Sequence, residues 1–308
     1  MDEDFNLNRN KEWLLMLENS KIIIDIDACT KCKACVNECH YYQIDNDLLK
    51  LNEEFEEGCI ECGKCVAVCP VNAIRLKTHI GKTLKEVPTK EDLPSFNSLV
   101  NLFQTRRSRR QFKKTTVPKE IIEKILDTAG RYSATGHNEE NVYFTIVQNR
   151  EILTKLSDEC TKQIKNLIEK FEDPQGRESL KSVFSEDLMQ KVEEEIPSFK
   201  RRLIRISQGK EVWRWNAELI IIHSPRKSAT LIENCTLAAS QIMLAAETLG
   251  LGTCSLGYLT AFFNIYRSVS KIVKIPIKHV VGYTLAIGYP KAHYHRIPAR
   301  KPLKAKWL

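Results

Sequence analysis

Eight cysteines lie in two runs of identical spacing. Cys29, Cys32, Cys35 and Cys39 are separated by two, two and three residues; Cys59, Cys62, Cys65 and Cys69 repeat the pattern, and Pro70 follows. Thiolates at this spacing suit iron–sulfur clusters. Three cysteines on a tight loop can cap three irons of one cube, and a fourth, displaced onto a following helical turn, can reach another cube. Structural zinc is the competing chemistry, since it too accepts four cysteines. Zinc sites usually pair two Cys-x2-Cys hooks, however, and two runs of four are rarely needed for them.

The spacing resembles that of bacterial two-cluster ferredoxins. The resemblance implies a crossed assignment: Cys29, Cys32, Cys35 and Cys69 hold one [4Fe–4S] cluster, and Cys59, Cys62, Cys65 and Cys39 hold the other. One position departs from the family, which usually has proline after the fourth cysteine of each run. Here His40 follows Cys39, and it is read as an exposed or capping side chain. Lys21 to Ile26 reads as a short strand with Val71 to Leu76 as its partner. Residues 1–20 form an extension with a helix over Lys11 to Leu17.

The elements that must position this chemistry fit a chain of 308 residues, long enough for two domains. Hydrophobic residues make up 43% of it, enough for a normal core. The N-terminus, MDEDFNLNRN, has no basic segment of the kind that opens a signal peptide. The apolar stretch around Leu14 to Leu17 is too short to span a bilayer. A soluble, cytoplasmic protein without membrane contact is expected, and intracellular cysteine clusters point to metal rather than disulfides.

Charge divides unevenly. Residues 1–80 hold nine Lys/Arg and fifteen Asp/Glu, a net of −6, which leaves +14 on the remainder of a chain whose total is +8. No nucleic-acid motif accompanies the basic part, so nucleic acid is not expected as a partner. Holding an anionic cofactor is the simpler use of that charge.

Between Thr78 and Ser98 the pattern dissolves around Gly81, Pro88 and Pro94, as in a linker. The expected organisation is an extension over 1–20, a cluster domain over 21–80, a linker over 81–98 and a second domain over 99–308. In the second domain Leu99 to Gln104 reads as helix and leads into RRSRRQF, residues 106–112. A helix with Thr116 as cap and Pro118 in its first turn carries the stripe Ile121, Ile122, Ile125, Leu126 and Ala129. Val142 to Val147 reads as strand, and residues 151–214 as mostly helical and highly charged. Glu218 to His223 is a buried strand, Leu231 to Leu249 a central helix apolar on nearly every side, and His279 to Ile287 a last strand. Cys160, Cys235 and Cys254 are read as structural, and Trp213 and Trp215 as packing residues.

Four stretches, in order, resemble the FMN-dependent nitroreductase family: RRSRRQF with the helix after it, the loop SATGHNEEN at 133–141 with its strand, the central helix running into LGLGTCSLGY at 249–258, and IGYP at 287–290 with the arginines beyond. Together they cover roughly residues 97–300. The resemblance implies an α+β fold with a central antiparallel or mixed sheet flanked by helices, assembled as a domain-swapped homodimer with flavin at the subunit interface. It also implies FMN contacts. Arg106, Ser108 and Arg110 match phosphate and ribityl contacts, with Arg107 between them; Arg296 matches a second phosphate contact, with Arg300 as a substitute. Thr135 and Asn138 match flavin-facing polar positions, and Glu140 takes the place of the family's glutamine. Ser255, Leu256 and Gly257 match the turn near the reactive side of the ring. Asn141 and Val142 also depart from the family pattern. No proton donor is identified.

The whole chain thus looks like a ferredoxin–nitroreductase fusion. Clusters move single electrons, and flavin can take electrons singly and release them as hydride. A relay is expected, from a low-potential donor (ferredoxin or NAD(P)H) through two clusters and FMN to a small nitroaromatic, quinone or activated alkene. The alternative is a non-catalytic electron-transfer adapter that docks a partner protein.

Overall fold

The computed structural model describes residues 21–45, 48–51, 58–79, 82, 84–182, 184–208 and 216–308. The extension over 1–20 with its helix, and Trp213 and Trp215, lie outside the described residues. Contacts divide the chain into two compact units, Met1–Leu93 with His137–Glu139, and Pro94–Gly136 with Glu140–Leu308.

In the first unit β1 (Ile22–Ile24) pairs antiparallel with β4 (Ile74–Leu76), and β2 (Tyr42–Asp45) with β3 (Leu48–Leu51). Two five-residue helices, α1 (Ala34–Glu38) and α2 (Lys64–Val68), each begin one residue before the third cysteine of a run. The core holds Ile22, Ile24, Ile74 and Leu76 packed with cysteines of both runs. Two details differ from the sequence expectation. It is the third cysteine that lies on the helix; Cys39 and Cys69 are extended C-cap residues just beyond it. The pairing of β2 with β3 was not anticipated, because each strand is fixed by its partner rather than by a strong strand composition.

The second unit is a three-layer α+β arrangement built on a four-stranded antiparallel sheet. The strand order is β5 (Tyr143–Val147), β6 (Glu218–Pro225), β8 (His279–Gly288), β7 (Gly252–Ser255). Strand β6 is apolar without alternation because both faces are covered. Leu219 and Ile221 enter the core beneath α5 (Arg150–Glu172) and α7 (Glu186–Ser207), together with α9 (Gly257–Ile265). Ile220 and Ile222 enter the opposite core beneath α4 (Lys119–Ile125) and α8 (Leu231–Thr248). Removing one of these side chains to alanine is the kind of core change that costs about 2–5 kcal/mol.

Helix α8 packs through small residues, Cys235, Ala238, Ala239 and Ala246, so it lies close to the sheet. Gly282 of β8 is the counterpart, since a Cβ there would meet Cys235 Sγ at 2.7 Å. The helix is apolar on nearly every side but not buried all round in one chain: Ile232 and Leu237, and Leu249 just beyond its end, are exposed. Gly250, at φ +72, ends it. Helix α3 (Phe96–Thr105) starts earlier than Leu99, because the Ser95 side chain caps it through Ser98 N. Pro118 rather than Thr116 occupies the N-cap position of α4, with no side-chain cap, and the helix continues into a π-helical turn over Leu126–Gly130. Strand β7 was unforeseen. Gly252, Thr253, Cys254 and Ser255 form a strand because β8 pairs with them.

At the far end of the sheet His223 Nδ1 and His279 Nδ1 lie 2.8 Å apart, and His223 Nε2 is 3.0 Å from Thr145 Oγ1. Tyr143 stacks on His223. Burial, with the neighbouring His279 second, pushes His223 down to about 4. Unfolding releases an imidazole that takes up a proton below about 6.5, while the folded form resists it down to about 4. Stability therefore falls with pH across that window, by about 3 kcal/mol at most. Denaturant titrations at pH 7, 5.5 and 4 should show this loss in the native chain and a shallower one in His223→Leu. Equal slopes would remove His223 from the account.

Candidate cluster and flavin sites

In the first unit the two runs meet. One cavity is walled by Cys29, Cys32 and Cys35 of the first run and by Cys69 of the second, with Thr30, Ala34, Ala73 and Ile74 around them. Cys39 of the first run and Cys59 of the second each lie near Cys65, whose thiol is raised first by burial and further by these two neighbours. The tight loops arise from left-handed residues ahead of each helix, Lys33 at φ 65 and Gly63 at φ 72. Ala73 N donates to Cys69 Sγ at 3.2 Å, and Lys21 Nζ donates to Cys59 O at 2.7 Å. His40 is exposed and its ring lies tilted against Tyr41, at 4.3 Å between centroids.

These residues fit an iron–sulfur cluster on two observations. Four cysteines drawn from both runs line one small cavity, a soft all-sulfur donor set. Tyr42 is only 4% exposed, and its hydroxyl has no well-formed hydrogen bond within the chain. The groups facing it are the Cys65 thiol and, beyond it, Cys35 and Cys39. A buried hydroxyl without an acceptor is costly, and thiolate or sulfide sulfur would supply one. Sequence reasoning missed Tyr42, because nothing local marks it as facing Cys65.

In the second unit the arm over 106–112 is fixed to β7 and to the segment after β8. Ser108 bridges Thr253, and Arg109 N donates to Thr253 O at 2.8 Å. Lys291 N donates to Gln111 O at 3.0 Å and Lys113 N to Tyr289 O at 2.8 Å. The stretches holding Arg106, Arg107, Ser108 and Arg110 are thereby brought beside the strand that ends at Ser255. Arg106, Arg107 and Ser108 are half-buried and Arg110 exposed. Arg109, which the motif reading passed over, is taken up structurally: its guanidinium lies 3.6 Å from Glu247 and 3.9 Å from the Tyr294 ring centroid.

At the following turn Ser255 is exposed and shares a 2.7 Å hydrogen bond with Tyr283 Oη, a residue the sequence did not single out. Leu256 is a core residue, with N donating to Thr284 O, so only its backbone remains for a ligand. Gly257 starts α9, and a Cβ there would meet nothing within 4 Å. Neither crowding nor a positive φ demands glycine there, so close approach of a flat ligand is a reason for it. Arg296 is exposed beyond β8, as is Arg300. The arm, the turn and Gly257 fit a phosphorylated planar group, with cations at one end and an open backbone at the other.

The parts of the loop that belong to this unit, residues 133–136 and 140–141, are anchored elsewhere on it. Gly136 N donates to Asn234 Oδ1 at 2.9 Å, near the start of α8. The arm is tied through Arg109 to Glu247 near its end. Thirteen residues of helix separate these anchors, about 20 Å. Thr135 Oγ1 accepts from Glu140 N at 3.1 Å, Asn138 has a left-handed backbone at φ 53, and Glu140 is exposed. Thr135 and Glu140 line a separate groove of about 740 Å³ with Lys124, Asp127 and Phe144.

The other candidates are structural. Glu218 is buried and its pKa raised by that burial, while it accepts from Val117 N and Gln148 Nε2. Burial pushes Cys160 up to about 12 and Cys235 to about 11, so both are inert. Glu193 pairs with Arg177 at 2.7 Å, as expected of a solvated helical face. Among the described residues no helix is long and apolar enough to cross a membrane.

Residues 103–289 match the nitroreductase family. The chain belongs to that family. Ahead of the nitroreductase domain, residues 16–74 match a 4Fe–4S dicluster domain, and 58–99 match a second description of the same kind. The chain is therefore a nitroreductase-family oxidoreductase domain fused to an iron–sulfur cluster domain. A putative NADH dehydrogenase/NAD(P)H nitroreductase of Archaeoglobus fulgidus is 24% identical over 196 residues, covering 62% of this chain and 85% of that protein. An archaeal-type glutamate synthase of Dehalococcoides mccartyi is 38% identical over 66 residues, 20% of this chain and only 13% of its own length. The crystal structure of a nitroreductase with bound FMN from Desulfitobacterium hafniense superposes with a TM-score of 0.50 at 19% identity, over 68% of this chain and 97% of that one. That likeness speaks to the fold.

Proposed function

We propose that this nitroreductase is an FMN-dependent oxidoreductase that takes electrons from a low-potential donor, ferredoxin or NAD(P)H, through two [4Fe–4S] clusters and delivers them to a small organic acceptor. The clusters are held in the crossed pattern, Cys29, Cys32, Cys35 and Cys69 for one and Cys59, Cys62, Cys65 and Cys39 for the other. The observation that carries this reading is the cavity whose wall mixes three cysteines of the first run with Cys69 of the second. Bound at the second site, FMN would accept single electrons and release a pair as hydride to a nitro group, quinone or activated alkene.

The chain's own residues would bind and orient that cofactor. Arg106, Arg110 and Arg296 supply forked cations for a phosphate dianion, with Arg107 beside them and Ser108 as a hydroxyl donor. Ser255, held by Tyr283 Oη, and the backbone of Leu256 and Gly257 line the ring's edge. Thr135, Asn138 and Glu140 serve the flavin of a second subunit in a domain-swapped homodimer. The support is the separation of about 20 Å along α8 between their loop and the arm, together with the exposed Ile232 and Leu237 on that helix. The domain limits at 21–80 and 99–308, joined by a linker over 81–98, belong to this reading, as does a cytoplasmic location.

Anaerobic purification with metal, sulfide and flavin analysis tests it. About eight irons, eight sulfides and one FMN per chain are expected. Zinc without sulfide would overturn the cluster assignment, and full clusters without flavin would leave an electron-transfer adapter.

A further inference from the structure

The two cysteine runs are built alike but charged differently. Cys32 and Cys62 occupy equivalent places, and both are exposed. Cys32 stands between Lys31 and Lys33, and Cys62 between Glu61 and Gly63. The backbone is left-handed at all four flanking residues, with φ of 55, 65, 53 and 72. Gly63 shows what the position ahead of the helix favours; Lys33 holds the same conformation with a full side chain. A residue kept against its backbone preference calls for a use.

Both lysines are exposed, and both contribute to the wall of the cavity formed by Cys29, Cys32, Cys35 and Cys69, with the half-exposed Val71 beside them. They form a cationic spot on a module that carries −6 over residues 1–80. The second run has no such pair: Cys62 is flanked by Glu61, whose carboxylate accepts from Thr78 Oγ1, and by Gly63, with a single lysine, Lys64, beyond.

We propose that the rim formed by Lys31, Cys32, Lys33 and Val71 is the docking face for an acidic one-electron carrier protein, so that electrons enter through the cluster of Cys29, Cys32, Cys35 and Cys69. The proposal rests on the cluster reading above and adds its point of entry. Lysines beside an exposed ligand steer an acidic partner and raise its encounter rate, and the small apolar residue supplies the dry centre of a transient contact. Around Cys62, Glu61 and Lys64 offset one another in sequence, so that run lacks the paired lysines that would favour docking there.

The test is anaerobic stopped-flow reduction of the full-length, cluster-loaded protein. An acidic reduced ferredoxin serves as one donor, and reduced methyl viologen, which needs no docking face, as the other. Native chain, Lys31→Gln/Lys33→Gln and Lys31→Glu/Lys33→Glu are compared at several salt concentrations, with cluster potentials measured alongside. The expected result is a rate with ferredoxin about tenfold lower for the neutral pair at low salt, and lower again for the reversed pair. The three should converge at high salt as the charges are screened, each ferredoxin rate being read against the viologen rate and the cluster potential of the same variant. An unchanged ferredoxin rate, or a loss that persists at high salt and follows a fall in potential, would overturn the docking face while leaving the clusters in place. Absence of iron, or clusters that viologen also fails to reduce, would overturn the cluster reading and this one with it.

Discussion

Replacing Cys29 and Cys69 together by alanine should remove one cluster and leave the other. In the crossed arrangement both thiolates serve the same cube, so the double variant retains about four of eight irons. The pair Cys29→Ala/Cys39→Ala, though closer in sequence, strikes both cubes and should leave almost none. An uncrossed arrangement gives the opposite order. The geometry argues for the first outcome: Cys69 lines the cavity of the first run, while Cys39 lies near Cys65 of the second. A stability effect accompanies the loss. The unit's described core rests on a few side chains, Ile22, Ile24, Ile74 and Leu76 among them, and small domains of this kind draw folding free energy from bound metal. Iron and sulfide analysis, with electron paramagnetic resonance of the reduced protein, reads the result.

Arg106→Ala with Arg110→Ala should weaken FMN binding by about a hundredfold or more. Each charge-assisted hydrogen bond to a phosphate oxygen contributes about 1.5–3 kcal/mol, and two are removed. The arm itself should survive, because the Ser108–Thr253 bridge and the Arg109 N to Thr253 O bond hold its backbone. Riboflavin, which lacks the phosphate, is the control, and its affinity should change little. Arg109→Ala should act differently. It removes the contacts with Glu247 and Tyr294 and lowers stability, with FMN and riboflavin affected alike. Equal loss of FMN and riboflavin in the Arg106/Arg110 variant would take the phosphate away from these residues.

The sequence carried those features in which chemistry and local spacing coincide. The cysteine runs state a ligand set because a cube needs three thiolates within a few residues. ELIIIH announced β6 because a strand covered on both faces is apolar throughout. What depends on distant partners was hidden. Strand β7 exists because β8 pairs with it, and its own residues, GTCS, carry little strand signal. Cys39 and Cys69 look helical by position, yet each ends its helix in an extended conformation. Pro118 stands at the N-cap position of α4, uncapped by any side chain, although Thr116 has the better capping side chain. Tyr42 behind Cys65, Tyr283 on Ser255 and His279 on His223 are pairs drawn together by folding, and no window of sequence contains both members. Arg109 shows the limit of motif reading. It stands among four arginines of one type, and only Glu247 and Tyr294 reveal that its task is structural.

The most direct test of the relay is whether flavin reduction depends on the clusters. The native chain and Cys29→Ala/Cys69→Ala, each loaded with FMN, would be mixed anaerobically with a reduced low-potential ferredoxin while flavin and cluster absorbance are followed. The account predicts that in the native chain the clusters bleach first and the flavin follows. The variant should keep its FMN yet lose most of the rate at which that FMN is reduced. Flavin reduction equally fast in both proteins would contradict it, since electrons would then reach the nitroreductase domain without the path through Cys29, Cys32, Cys35 and Cys69.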